Sequence, residues 1–170
     1  PQLVASIDYS VSRNGTLVYV PDAQTGATAA PVWVDRTGRA IGPAVSAPLN
    51  DPREVQVSPD GRRLAVAAGL APETSLWVYD LGGRPPLPLA EGGINRSPLW
   101  SPDGSRVFFT SNLGGGTWDI YAVSSDGSSP RPQVVPTFGR TGLAAMTAFL
   151  PRTPLTWPRD GRLLFPLTKP

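Results

Sequence analysis

The chain has 170 residues, which is enough for one compact domain with its own core, and 40% of them are hydrophobic. It contains no cysteine and no histidine, which excludes disulfides, zinc sites built on those residues and a serine–histidine catalytic triad. The 15 basic residues are scattered and the net charge is only +2, so we expect no nucleic-acid partner.

The apolar runs are too short and too often interrupted to span a bilayer, so we expect no membrane insertion. The first residues, PQLVAS, lack a charged segment followed by an apolar one, so no signal peptide is predicted within this segment. The 18 glycines and 21 prolines fall between apolar stretches and therefore indicate turns.

A four-residue turn recurs along the chain with similar flanking residues. Its copies are residues 12–15 (SRNG), 58–61 (SPDG), 101–104 (SPDG) and 158–161 (PRDG). The apolar strands that follow them are residues 16–20, 62–68, 105–111 and 162–167. Asn-Gly or Asp-Gly between apolar runs is the strongest short-range signal for a β-hairpin. We therefore predict four hairpins, and the first three copies recur about every 45 residues, the length of a propeller blade.

Two further strands are predicted after each of the first three hairpins. The third strands are rich in aromatic and β-branched residues and end in an Asp followed shortly by Gly; they lie within residues 30–38, 75–83 and 117–127. The fourth strands contain prolines, which suit an outer edge; they lie within residues 40–45, 85–90 and 132–137. Four antiparallel strands repeated in this way predict an all-β fold, the β-propeller.

We predict one partial propeller domain over residues 1–170, with about three and a half blades. The predicted repeats are residues 7–48, 49–93, 94–138 and 139–170. No stretch has the apolar period of an amphipathic helix, and residues 139–151 are expected to form a strand or an irregular loop. The last repeat stops after its second strand.

The segments VSPDGRRLAVAA, SLWVYDLGG, SPLWSPDGSRVFFTSN and WDIYAVSSDG resemble the TolB-like propeller repeat, a WD-repeat-like family with an SPDG signature. The opening SVSRNGTLVYV and the following VWVDRTGRAIG resemble the propeller segments of bacterial serine/threonine kinases and of periplasmic proteins. The resemblance implies a sensor or docking surface in a periplasmic or other extracytoplasmic location. Because the family commonly closes six or more blades, it also implies self-association that completes the ring.

Ligands of propellers usually bind at loop ends around the central channel, where several blades converge. The loops expected there are residues 51–54, 91–97 and 139–147. We predict ligand-binding roles for residues in or beside these loops, namely Arg53, Glu54, Arg96, Trp100 and Arg140. Packing is the alternative for Trp100, and solvation is the alternative for the arginines. Trp33, Trp77 and Trp118 recur in third strands and are expected to pack between sheets.

We expect no cofactor. We also expect no metal site, because each Asp-Gly turn offers one acidic residue and a calcium-binding loop needs several. The preferred function is a non-catalytic binding or scaffold module that recognises a protein, a peptide or a small polar ligand at the channel mouth. One alternative is a hydrolase, most plausibly a glycosidase with paired carboxylates and Glu54 as the candidate catalytic residue. The other is an inactive fragment of a larger propeller.

Overall fold

The computed structural model describes residues 9–11, 17–19, 28–45, 49–70, 72–113, 118–129 and 131–135. These residues contain fourteen strands. In chain order the strands are β1 (Tyr9–Val11), β2 (Leu17–Tyr19), β3 (Thr28–Ala29), β4 (Val32–Val34), β5 (Ala40–Pro43), β6 (Leu49–Asn50), β7 (Pro52–Val57), β8 (Arg63–Ala68), β9 (Ser75–Asp80), β10 (Leu87–Ala90), β11 (Asn95–Trp100), β12 (Arg106–Ser111), β13 (Asp119–Ser124) and β14 (Gln133–Val134).

Three antiparallel sheets of four strands each confirm the predicted all-β fold. The strand order is β1-β2-β4-β5 in the first sheet, β7-β8-β9-β10 in the second and β11-β12-β13-β14 in the third. No helix occurs among the described residues, so no helix there could cross a membrane. An additional pair that the sequence pattern did not predict, β3 with β6, joins the first and second repeats.

The SPDG segments make hairpin turns, but these turns are longer than a two-residue Asp-Gly turn. The N–H of Gly61 donates to the carbonyl of Ser58 over 2.9 Å, and the N–H of Gly104 donates in the same way to Ser101 over 2.9 Å. Each glycine has a positive φ, 71° and 70°, whereas the Asp before it does not. The geometry is therefore a turn followed by a left-handed glycine, which is a common form of longer hairpin connection.

Successive side chains of a strand point to opposite faces of its sheet. Two apolar clusters therefore lie between consecutive sheets. In β8, Leu64 and Val66 belong to the cluster between the first and second sheets, and Ala65 belongs to the cluster between the second and third. Trp33 packs against the first cluster, as predicted. Trp118 lies just before β13 and contacts Arg96 instead.

The first strand of each sheet is the inner one, because β7 contacts the first strands β1 and β11 of both neighbouring sheets. The fourth strands β5, β10 and β14 lie at the opposite edges, as the prolines predicted. The hairpin turns predicted at residues 12–15 and 158–161, the segment 139–151 and the half-blade 139–170 lie outside the described residues.

Candidate functional site

The inner strands β7 and β11 lie side by side and are joined by side-chain hydrogen bonds. The backbone N–H of Trp100 donates to Oε1 of Gln56 over 2.9 Å, and the indole Nε1–H donates to the Gln56 carbonyl over 3.0 Å. One blade earlier, the N–H of Val57 donates to Oγ of Ser10 over 2.9 Å. These bonds hold the inner strands side by side near their last residues. The opposite ends, where β7 and β11 begin, form a surface that we call the first-strand rim (residues 51–54 and 91–97 with Trp118).

Glu54 lies on the rim and connects the second blade to the third. Its Oε2 accepts a hydrogen bond from the backbone N–H of Ser97 over 2.5 Å. Ser97 has a positive φ of 52° and lies in an irregular register between Arg96 and Leu99. The bulge therefore turns a backbone donor towards the neighbouring blade, and the Glu54 carboxylate receives it.

Arg53 is oriented by a buried carboxylate. Its Nε and Nη2 both donate to Oδ2 of Asp51, over 3.1 and 2.6 Å. The Asp51 side chain is 5% exposed, whereas 40% of the Arg53 side chain faces solvent. The guanidinium is thus held at the surface of the rim, where it can still meet a ligand.

Arg96 and Trp118 form the second partly exposed feature of the rim. The Arg96 guanidinium carbon lies 6.0 Å from the centre of the Trp118 ring, and both side chains are half-buried. This distance is at the outer limit of a cation–π contact. The pair offers a planar cation and an aromatic ring, a combination enriched at protein-binding surfaces.

Trp100 has a different environment from the one expected of a ligand-binding residue. It is 4% exposed, and the guanidinium of Arg63 covers its ring at 4.7 Å. Arg63 also donates to Oγ of Ser125 and to the carbonyl of Gly104, both over 2.9 Å. Packing between the second and third blades is therefore the role of Trp100 that the geometry supports. Arg140 lies outside the described residues.

The acidic residues of the turns are satisfied within their own turns. Hydrogen bonds from Ser101 and then from Ser105 lower the pKa of Asp103 to about 2. A hydrogen bond from the Ser58 hydroxyl lowers the pKa of Asp60 in the same way. Among the described residues, no group of three or more His, Cys, Asp or Glu side chains could hold a metal ion. The carboxylates of these turns thus accept hydrogen bonds from within the same hairpin connection.

Sequence reasoning missed Ser10, Gln56 and Ser97, which link consecutive inner strands. Ser10 and Gln56 each stand two residues before the serine that opens the turn. A polar residue at the same position of two repeats, within otherwise apolar strands, is the signal that could have revealed this role.

Comparison with known proteins agrees with this architecture. The chain is 41% identical over 73 residues to the Tol-Pal system protein TolB of Anaeromyxobacter dehalogenans, a match that covers 43% of this chain and 17% of TolB. The crystal structure of TolB from Acinetobacter baumannii superposes with a TM-score of 0.59 at 15% identity, over 79% of this chain and 33% of TolB. No protein-family model matches.

A second solved structure, the β-propeller domain of the Trilobed protease from Pyrococcus furiosus, superposes with a TM-score of 0.56 at 15% identity. The match covers 79% of this chain and 44% of that domain. At such low identity the structural matches establish the fold alone. The described residues form part of a TolB-like β-propeller, with three blades of four strands each.

Proposed function

We propose that this chain is a non-catalytic module that binds a protein or peptide at the first-strand rim. The observation that carries the proposal is the position of Arg53, Arg96 and Trp118 on neighbouring blades around a shared edge. The Glu54–Ser97 hydrogen bond fixes the spacing between those blades. Binding residues on loops above a rigid scaffold are the usual arrangement in such folds.

The chemistry of the rim suits an extended peptide that carries a carboxylate. Arg53 donates from Nε and Nη2 to a single oxygen of Asp51, and such charge-assisted hydrogen bonds are those by which a guanidinium binds an acidic group. Trp118 supplies an apolar surface beside the second guanidinium. Aromatic and arginine residues together form many energetic centres of protein interfaces.

A random-peptide phage library selected on the immobilised chain tests this proposal. We expect enriched peptides to contain Asp or Glu, and their affinity to fall at least tenfold with Arg96→Ala or Trp118→Ala. Arg84→Ala is the matched control, because Arg84 is exposed in the β9–β10 turn at the opposite end of the blade. Selected peptides that bind equally well to the Arg96 and Trp118 variants would place the binding surface elsewhere.

Self-association through the first sheet is a second part of the proposal. Val11, Val57 and Trp100 occupy the same position in the first three repeats, directly before the turn. Val11 is 55% exposed, whereas Val57 is 7% and Trp100 is 4% exposed. Ile41 on the same sheet is 67% exposed. Val11 is an apolar residue whose counterparts in the other two sheets are buried, which suggests a covering surface, and we propose that a second copy of this chain provides it.

Light scattering coupled to size exclusion tests the self-association. A dimer that Val11→Asp converts into a monomer supports it, and Val134→Asp is the control because Val134 is 51% exposed on the outer strand of the third sheet. A wild-type monomer at high concentration contradicts it.

An extracytoplasmic location, proposed from the TolB likeness, is tested by fractionating cells that produce the protein from its native gene.

Glycosidase activity remains the second candidate function. It depends on Glu54, the one residue that was predicted to be catalytic. The carboxylate accepts the Ser97 amide, which supports a structural role more than an acid or base role. Turnover of aryl glycosides that disappears in Glu54→Gln would reverse this preference.

A further inference from the structure

The third sheet has a second apolar face, which points away from the second blade. Phe108 of β12 is directly opposite Leu99 of β11 and Ala122 of β13. Ile120, two residues before Ala122, points to the same side. These four side chains, which we call the far face, are between 1% and 7% exposed. None of them belongs to the apolar clusters that lie between the described sheets.

The described strands do not account for this burial. Those that pack closely against the third sheet are β7, β8 and β9, and all three belong to the second sheet, on the opposite side. An apolar sheet face is stable only when another layer of structure covers it. The cover of the far face therefore comes from outside the residues that the structure describes, either from another part of this chain or from another chain.

The boundary between the second and third blades shows how consecutive repeats are joined beside their turns. Arg63, the first residue of β8, covers the Trp100 ring at 4.7 Å and donates to the carbonyl of Gly104 over 2.9 Å. The Trp100 indole donates in turn to the carbonyl of Gln56 over 3.0 Å. Both acceptors are backbone carbonyls, so only the arginine and the tryptophan must recur for the next repeat to be joined in the same way.

Arg106 occupies the position in the third blade that Arg63 occupies in the second. Each arginine is the first residue of the second strand of its sheet, two residues after the glycine of the turn. Arg106 is exposed, and its guanidinium carbon lies 5.9 Å from the centre of the Phe108 ring, so its side chain lies on the same side as the far face. It is therefore placed to cover an aromatic ring of the next repeat.

Trp157 is the matching tryptophan of the predicted fourth repeat, whose residues 139–170 lie outside the described residues. It directly precedes the fourth predicted turn, as Trp100 directly precedes the third. Leu99 lies two residues before the serine that opens its turn, the position that Gln56 has in the second blade, so its carbonyl is the equivalent acceptor. The arginine, the tryptophan and the carbonyl of a second joint are thus all present in the chain.

We propose that the far face binds the fourth repeat of this same chain, residues 139–170, with the Trp157 ring under the Arg106 guanidinium and its indole N–H donating to the Leu99 carbonyl. The fourth repeat follows β14 in the same chain, so its effective concentration at the far face is about millimolar, which favours it over a second copy. The cation–π contact and the indole hydrogen bond fix its register, and the apolar far face supplies the buried area. This joint is independent of peptide binding at the rim.

The test observes the tryptophan indoles of the whole chain by nuclear magnetic resonance. The five tryptophans are labelled with ¹⁵N, their indole signals are assigned by single Trp→Phe variants, and the exchange of each indole proton with water is measured. We expect the Trp157 proton to exchange at least about tenfold more slowly than that of the half-buried Trp118, as the proton of the buried Trp100 should.

Arg106→Ala is the decisive variant because it removes the guanidinium and leaves Trp157 and the far face in place. We expect it to accelerate exchange at Trp157 at least about fivefold and to leave Trp100 unchanged. Arg62→Ala is the matched control, because Arg62 is an exposed arginine one blade earlier, and it should change neither. If Arg106→Ala fails to fold, Arg106→Lys takes its place, since lysine keeps the charge and loses the planar group that covers a ring.

Measurement at two protein concentrations about tenfold apart separates the two possible occupants of the far face. Protection by the chain's own fourth repeat is the same at both concentrations, whereas protection by a second copy decreases on dilution. A Trp157 proton that exchanges as fast as that of Trp118, protection that is lost on dilution, or protection that the folded Arg106 variant leaves intact overturns the proposal.

Discussion

Replacing Trp100 with Phe separates a packing role from a ligand-binding role. The change removes the indole N–H that donates to the Gln56 carbonyl over 3.0 Å and narrows the ring that lies 4.7 Å from the Arg63 guanidinium. A lost hydrogen bond with a buried acceptor left behind costs about 1 to 2 kcal/mol. The weaker cation–π contact and the lost ring atoms add about 1 kcal/mol.

We therefore expect Trp100→Phe to lower the free energy of unfolding by about 2 to 3 kcal/mol and the Tm by about 5 to 10 °C. Urea unfolding followed by far-ultraviolet circular dichroism measures the first quantity, and the midpoint should fall with an unchanged slope. Trp118→Phe is the paired variant, because Trp118 is half-buried and contacts only Arg96 among the ring contacts described. It should weaken peptide binding and change stability by less than about 1 kcal/mol.

The opposite pattern would refute this reasoning. If Trp100→Phe leaves the unfolding midpoint unchanged but abolishes peptide binding, the indole is exposed to ligand in solution and the packing of the second and third blades differs from the one described. If both variants destabilise equally, the rim around Trp118 is part of the core.

Two further predictions concern the hairpin turns. Hydrogen bonding lowers the pKa of Asp103 to about 2 from an ordinary value of 3.8. The ionised Asp103 carboxylate therefore stabilises the fold fully above about pH 4, and this stabilisation is lost as the pH falls through about 2. The Tm difference between wild type and Asp103→Asn should shrink over that range. Gly61→Ala should cost about 1 kcal/mol in urea unfolding from its φ of 71° alone, since no atom lies within 4 Å of the added Cβ. Gly104→Ala should cost a similar amount, because its φ is 70° and its Cβ would make only ordinary contacts, 3.4 Å from Nη2 of Arg63 and 3.8 Å from Cδ of Pro59; a much larger cost for Gly104→Ala would contradict this spacing.

The repeat architecture was predictable because its signals are local. Apolar alternation, Asp-Gly turns and edge prolines lie within each strand or hairpin, and the three sheets follow them closely. Even so, the β3–β6 pair was not predicted, since a two-residue strand carries too little pattern to be recognised. Its pairing depends on how the chain crosses from one blade to the next.

The site was less predictable because it depends on contacts between blades. The bond from Ser97 to Glu54 requires a bulge and a positive φ at a serine, neither of which the sequence pattern indicates. Trp100 was a plausible channel residue by its position before the turn, yet its indole turns towards Gln56 and Arg63. Which face of an inner strand meets the neighbouring blade is a tertiary property, so periodicity alone cannot decide it.

These inter-blade bonds connect the stability of the propeller to the geometry of its rim. Glu54 lies between the Arg53–Asp51 pair on one blade and the Arg96–Trp118 pair on the next, and it binds the backbone beside Arg96. A change in the angle between the blades would therefore alter the separation of the two guanidinium groups before it altered either local contact. Because a peptide that spans both groups binds best at one separation, Glu54 influences affinity through position even if the peptide never touches it.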